Sequence, residues 1–312
     1  MDVDLVYLWV DGNDPKWQEK YNAFFGKEEE ENEVNCKGRT ANNDELKYSL
    51  RSMEKYAPWI RKIFIVTNEQ TPDWLDVSNP KVKIIDHKDI VPSENLPCFN
   101  PRVVEYNLYK IPDLAEHFIY ANDDMFLNKP TTPNDFFASD GFPIIRLSNR
   151  PFRKWSLLFK EKIQKKTISN HNQAIRNSAE LVEKRFGVYY NGKPHHNIDA
   201  YLKSDWKRLI EETFKDEFVS MMKNNIERSS TDIERVIYAY MALNQKRGHL
   251  QRSSRKVAFH AHIHNEKHYE NFEKYNPMMF CMNDSQHATD RDRKKVVLFL
   301  DSCFPEKSRF EK

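Results

Sequence analysis

Through the first half of the chain, hydrophobic residues come in short contiguous bursts, and between the bursts they recur at helical spacing. Residues 5–10 (Leu, Val, Tyr, Leu, Trp, Val) form a continuous apolar run closed by Asp11, Gly12, Asn13, Asp14 and Pro15. That is the pattern of a strand buried on both faces and ended by a turn. Similar runs at 63–66, 82–85 and 118–121 predict three more strands, and Ile144-Ile145 begins a fifth. Between them, Leu46, Leu50, Met53 and Ala57 fall four, three and four apart, which predicts an amphipathic helix. Asn43 or Asp44 is placed to cap its start, and Pro58 ends it. Residues 101–110 also read as helix.

Strands alternating with helices predict an α/β, Rossmann-like layer with a largely parallel sheet. After about residue 150 the pattern changes to mainly helical. Stretches at 150–185 and 198–247 are interrupted by a loop at 187–197 centred on Pro194, His195 and His196, and a last helix runs from 291 to 303. The expected division is therefore an α/β part at 1–149 and a mainly helical part at 150–312, packed on the sheet to complete one site. The acidic tract at 28–33 reads as a solvated loop.

Composition narrows the class. A 13% aromatic content supplies a core for 312 residues, and a net charge of +2 does not argue for a nucleic-acid partner. Cys36, Cys98, Cys281 and Cys303 show no paired spacing, which fits a reducing compartment. No apolar stretch reaches the length of a membrane span or resembles a signal peptide, so a cytoplasmic location is expected. Basic residues crowd into 150–185, where Trp155, Leu158, Phe159 and Ile163 share one helical stripe. That segment suits an anionic acceptor or a membrane surface, but the plainer expectation is that the stripe packs on the sheet.

The chemistry concentrates where strands end. Asn122, Asp123 and Asp124 follow a buried run directly, and ligands of open α/β sheets bind at the carboxyl ends of strands. Adjacent carboxylates there repel unless a cation such as magnesium or manganese joins them; otherwise they are turn residues. Asp4 and Asp11 bracket the first strand, and the turn at Asp11, Gly12 and Asn13 is either an ordinary strand end or a close approach to a nucleotide. His195 and His196 offer a base near neutral pH if they are not simply solvated. Arg228 precedes a helix-capping run, where it can meet a phosphate. Asn283 and Asp284 repeat the pattern of a strand followed by Asn-Asp and could complete a metal shell. Alternation of His260, His262 and His264 suggests a transition-metal face, but no partner carboxylate or cysteine is evident, and a dedicated site there is the lesser reading.

Taken together, four blocks resemble the Stealth family of hexose-1-phosphate transferases, which includes bacterial capsular-polysaccharide phosphotransferases and the animal enzyme that starts mannose-6-phosphate tagging. They are residues 4–14; residues 44–126 in pieces (44–52, 56–59, 63–67, 99–105 and 118–126); residues 194–199 with 228–240; and residues 280–284 continuing to Phe304-Pro305. The resemblance implies transfer of a sugar-1-phosphate from a UDP-sugar donor to a glycan acceptor, with UMP released and Mg2+ or Mn2+ as cofactor. It implies catalytic roles for His196, Asp4, Arg228 and Glu105, and metal contacts from Asp123, Asp124, Asn283 and Asp284. Trp9, Asp11, Gly12, Asn13, Arg51, Asn100, Asn122 and Asp232 become candidate substrate contacts. The sequence departs from the family pattern at Asn100, Pro101 and Arg102, and resembles it only weakly from 140 to 190. The rival readings are a conventional metal-dependent glycosyltransferase and an inactive glycan-binding module.

Overall fold

In a computed structural model, described over residues 1–26, 41–224 and 226–312, the apolar runs become the centre of a five-stranded sheet. Its strands are β1 (Val3–Leu8), β2 (Ile63–Thr67), β3 (Val82–Asp86) and β4 (His117–Asn122), joined at one edge by a later strand, Asp199–Leu202. The strands β1 to β4 are parallel in the order β3-β2-β1-β4, and Asp199–Leu202 closes the sheet antiparallel to β4. The tract at 28–33 and Cys36 lie outside the described residues.

That order has a functional consequence. From β1 the chain steps outward through β2 and β3, then returns to place β4 on the other flank of β1. The crossovers around β1 therefore run in opposite directions, and in open α/β sheets the ligand crevice belongs at such a point, here the carboxyl ends of β1 and β4. The register sets Leu8 opposite Asn122 at that end and Asp4 opposite Phe118 near the other.

The edge strand Asp199–Leu202 is β8, and two smaller sheets take up β5 (Met125–Leu127), β6 (Ile144–Ser148), β7 (Lys193–Pro194), β9 (His249–Arg252), β10 (Ala258–His262) and β11 (Met279–Asn283). One sheet has the order β10-β11-β5 and the other β7-β6-β9. Among the described residues, the second half is thus mainly helical but also supplies five strands, two of them within stretches expected as loop (β7) or helix (β8). The expected helix at 101–110 is a short helix, Pro101–Glu105, followed by a separate 3-10 turn, Leu108–Lys110.

Alternation along the parallel strands feeds two cores. Val6, Phe64, Val66, Phe118 and Tyr120 pack against Ile175, Ala179, Val182, Trp206 and Phe218 from the later helices. Leu5, Tyr7, Ile63, Ile65 and Ile119 pack against Leu46, Leu50 and Met53 of the helix Glu45–Tyr56. The latter helix starts at Asp44, but with a left-handed backbone and no side-chain cap, because the Asp44 carboxylate is taken by Lys47 at 2.7 Å.

Asp4 is corrected by this geometry. It lies four residues from the carboxyl end of β1, about 13 Å along the strand. Its carboxylate is fully buried and accepts from Arg61 Nε at 2.9 Å, Arg61 Nη2 at 2.7 Å and the amides of Lys62 and Ala115. It ties loops together at the amino end of the sheet and is remote from the crevice. Asp4→Asn should therefore lower unfolding stability by about 2–4 kcal/mol, the usual scale for breaking a buried hydrogen-bonded ion pair, with turnover per folded molecule preserved. Urea unfolding alongside active-site-normalised rates checks both halves of that expectation.

Candidate functional site

At the end of β1 the chain is held in a tight, well-bonded turn. Gln70 brackets it, accepting from the Asp11 amide at 2.9 Å and donating to the Asp11 carbonyl at 2.8 Å and to Asp14 at 2.9 Å. The Asp11 carboxylate accepts from the Asn13 amide at 2.9 Å and from Asn42 Nδ2 at 3.1 Å. Gly12 is buried and Asn13 exposed, so the turn presents its tip to the crevice mouth. Trp9, in contrast, is buried in the core beneath, its amide bonded to the Val66 carbonyl, and it is unavailable as a substrate contact.

At the end of β4 lies an acidic cluster. Burial raises the Asp123 pKa well above the ordinary carboxylate value, and the neighbouring charges of Glu45 and Asp124 raise it further. Glu45 is pushed up to about 7, first by burial, against the hydrogen bonds from Asn43, with Asp124 adding repulsion. Asn43 grips Glu45 through its amide at 2.6 Å and its side chain at 2.7 Å. Asp124 Oδ2 accepts from the Cys281 thiol at 3.1 Å and from Asn283 Nδ2 at 3.4 Å. Burial and Asp124 both raise the Cys281 pKa, so the thiol stays protonated and acts as a donor. The charges of Glu45, Asp123 and Asp124 thus bear on one another, whereas the sequence pattern grouped Asp123 and Asp124 with Asp284 and left Glu45 out. Glu45 and Cys281 gave no signal of their own, since each looks like an ordinary helix-start or strand residue until β11 and the Glu45–Tyr56 helix are brought to the crevice.

Asp284 is corrected as a metal ligand. Both its oxygens are engaged by Arg293, at 2.8 and 3.1 Å, and Asn43 Nδ2 is 3.4 Å away. Arg51 is corrected as a substrate contact: it pairs with Glu311 through two bonds of 2.8 and 2.7 Å and donates to the Phe304 carbonyl at 2.9 Å. Asn100 and Asp232 are fully buried and are engaged with other protein groups. Asn100 bonds Asp232 at 3.0 Å and caps the Arg102 amide at 3.1 Å, while Arg102 pairs with Asp232. These residues shape the loop that carries Arg228.

The opposite wall is cationic. Arg235 Nη1 donates to Glu105 at 3.1 Å and its Nε to Asp199 at 3.3 Å, with the guanidinium 5.0 Å from the Tyr120 ring centre. The Tyr120 hydroxyl lies 2.9 Å from Glu105 and 2.7 Å from Asn122, which links the wall to the acidic cluster. His195 Nε2 sits 3.0 Å from Asp199, while the His196 ring lies 5.0 Å from that of His260. Beside them His171 is held down to about 3 by burial and by Lys193, Arg102, Arg235 and Arg228. Lys193 is likewise lowered, by burial and by Arg153 and Arg150. The histidine rings at and just beyond the end of β10 lie in series, 260 edge-on to 262 at 4.8 Å and 262 tilted against 264 at 5.6 Å. Among the described residues, the ligand atoms that converge within 4.8 Å are those of His196, His260 and Cys281, a different set from the alternating three.

Comparison with known proteins bears on the family. Residues 1–28 match the model of Stealth protein CR1, conserved region 1, and residues 39–145 that of Stealth protein CR2, conserved region 2. A capsular polysaccharide phosphotransferase of Neisseria meningitidis serogroup B is 32% identical over 309 residues, covering 95% of this chain and 80% of the relative. SacB, the capsular polysaccharide phosphotransferase of serogroup A, is 32% identical across the whole chain, which spans only 57% of that protein's length. The exopolysaccharide phosphotransferase cps2G of Lactiplantibacillus plantarum is 47% identical over 142 residues, 46% of this chain and 41% of its own. A galactosyltransferase, LgtC, aligns over 98% of both chains at 12% identity with a TM-score of 0.43, too loose a likeness to carry an inference. The two conserved regions and the near-complete alignment agree: the chain belongs to the Stealth family of polysaccharide phosphotransferases.

Proposed function

We propose that this chain moves a hexose- or N-acetylhexosamine-1-phosphate from a UDP-sugar to a glycan hydroxyl, releasing UMP and forming a phosphodiester. The observation that supports this most directly is the juxtaposition, at one crevice, of repelling buried carboxylates and a cationic wall. A divalent cation answers the first and a diphosphate answers the second.

The donor set suits magnesium or manganese. Asp123, Asp124 and Glu45 offer hard carboxylate oxygens, with Asn283 beside them, while Asp284 is committed to Arg293. Such an ion would neutralise charge on the two phosphates of the donor. The Cys281 thiol orients Asp124 from behind.

The remaining work falls to the chain itself. Arg228 and Lys193 meet the non-bridging phosphoryl oxygens, and the Asp11-Gly12-Asn13 turn borders the nucleotide. His196 takes the proton of the acceptor hydroxyl as that oxygen attacks the phosphorus bearing the sugar. The bond from this phosphorus to the bridging oxygen breaks, and the electron pair leaves with UMP. Glu105 acts at one remove, holding Tyr120 and Arg235 in place. Residues 1–149 would hold the donor and residues 150–312 complete the site, at a cytoplasmic location.

Phosphorus NMR of the product separates the readings: a retained phosphodiester supports sugar-1-phosphate transfer. Its absence, with UDP released, would indicate a conventional glycosyltransferase; no turnover of any UDP-sugar would indicate a glycan-binding module. His196→Ala should cut kcat by roughly 100- to 1,000-fold while the donor KM stays within about threefold, as expected for a lost general base. Unchanged kcat removes His196 from that role.

The acidic cluster predicts a coupled pH and metal effect. Because the folded-state pKa of Glu45 is raised from 4.5 to about 7, folding binds extra protons, and the metal-free protein loses stability as pH rises through that interval. Bound cation reverses the effect by favouring the ionised form. Thermal melts in chelator should therefore fall between about pH 5 and pH 8 relative to melts in magnesium. Glu45→Gln should raise the melt in chelator and shrink the magnesium-dependent gain.

A further inference from the structure

The helix Arg153–Lys162 does not bury the stripe expected to pack on the sheet. It turns Arg153 and Leu157 inward, and Arg153 Nη2 donates to the Asn172 carbonyl at 3.2 Å. On its outer side Phe152, Trp155, Phe159 and Ile163 stand 73%, 70%, 52% and 68% exposed. Their spacing of three, four and four aligns them on one line down the helix. The other large apolar side chains exposed among the described residues are scattered along the chain. An aligned group of this size marks a contact surface.

Charge narrows what that contact is. Arg150, Lys160, Lys162, Lys165 and Lys166 are all exposed around the stripe. The helix's single acid, Glu161, is paired with Arg176 at 2.8 Å. A second copy seated here would set cations against cations across a two-fold axis, which opposes self-association. Rings of Trp and Phe at an apolar-polar boundary, bordered by lysines that extend away from it, fit the plane of a lipid headgroup layer. Among the described residues no helix is long and apolar enough to cross a membrane, so contact would be made from the surface.

We propose that Phe152, Trp155, Phe159 and Ile163 insert into the surface of an anionic bilayer, with Arg150, Lys160, Lys162, Lys165 and Lys166 against its headgroups. The inserted helix leads into Asn170–Phe186, whose His171 stands in the field of Lys193, Arg102, Arg235 and Arg228. The docked helix is thus joined through a short connection to His171, which those cations surround. Docking is independent of which sugar is transferred, or whether any is.

The test is flotation of the full chain with vesicles of phosphatidylcholine containing about 30% phosphatidylglycerol, compared with phosphatidylcholine alone. Strong binding to the anionic vesicles is expected, with a blue shift of Trp emission that Trp155→Phe removes. Each charge reversal, Lys160→Glu or Lys162→Glu, should weaken binding by about fivefold or more, and roughly 500 mM salt should release the protein. Trp155→Ser with Phe159→Ser should abolish binding while circular dichroism and turnover on a soluble acceptor are unchanged. Equal binding to neutral vesicles, undiminished binding by that double variant, or a wild-type dimer that the double variant converts to monomer would each overturn the proposal.

Discussion

Mutual repulsion among Glu45, Asp123 and Asp124 is the constraint around which the rest of the site is arranged. Each carboxylate comes from a point where the backbone has little freedom: the start of a buried helix and the end of a central strand. Burial and proximity together raise the pKa of Asp123 and Glu45, so a positive charge placed beside them would favour their ionised forms. The groups around them fit this: Asn43 and Cys281 donate to carboxylates from the protein side, and the arginines nearby are already committed to Asp284 and Glu105.

The cationic wall depends on that same economy. Arg235 could have reached toward the acidic cluster, but Glu105 and Asp199 hold it back, and Tyr120 lies between. Opposite charges are thereby kept as neighbours without collapsing into ion pairs with each other. That separation leaves neither group spent on a salt bridge across the crevice. The later half of the chain is thus part of the site as well as of the core, since it carries Arg235, at the start of the helix Val236–Asn244, and Asp199 on β8.

Much of the architecture was legible in the sequence because strands buried on both faces must be apolar without interruption, and residues 5–10, 63–66 and 118–121 are. Asp123 and Asp124 were legible for a related reason, as charged residues stand out at the end of such a run. Glu45 was not, since its partners lie 78 and 79 residues away and nothing local distinguishes it from a helix-start acid. The resemblance to a family pointed to Asp4, Arg51 and Asp284 alike. An ion pair that holds a scaffold together leaves the same mark in a motif as a residue that touches substrate, and only the positions of Arg61, Glu311 and Arg293 tell them apart. The Trp155 stripe shows the converse limit: periodicity gives the amphipathic face of a helix but not the direction in which it points.

The pairing of Arg51 with Glu311 has a reach beyond the residues it joins. Arg51 sits six residues after Glu45 on one rigid helix, and its partners, Glu311 and the Phe304 carbonyl, belong to the last segment of the chain. That segment is also stitched to the region before β3, where the Lys312 amide bonds the Trp74 carbonyl and Leu75 bridges Glu311. The final residues therefore work as a clasp on the helix that presents Glu45. Cutting or displacing them would be felt at the acidic cluster, well away from the cut, as a change in how firmly the first of its three carboxylates is held.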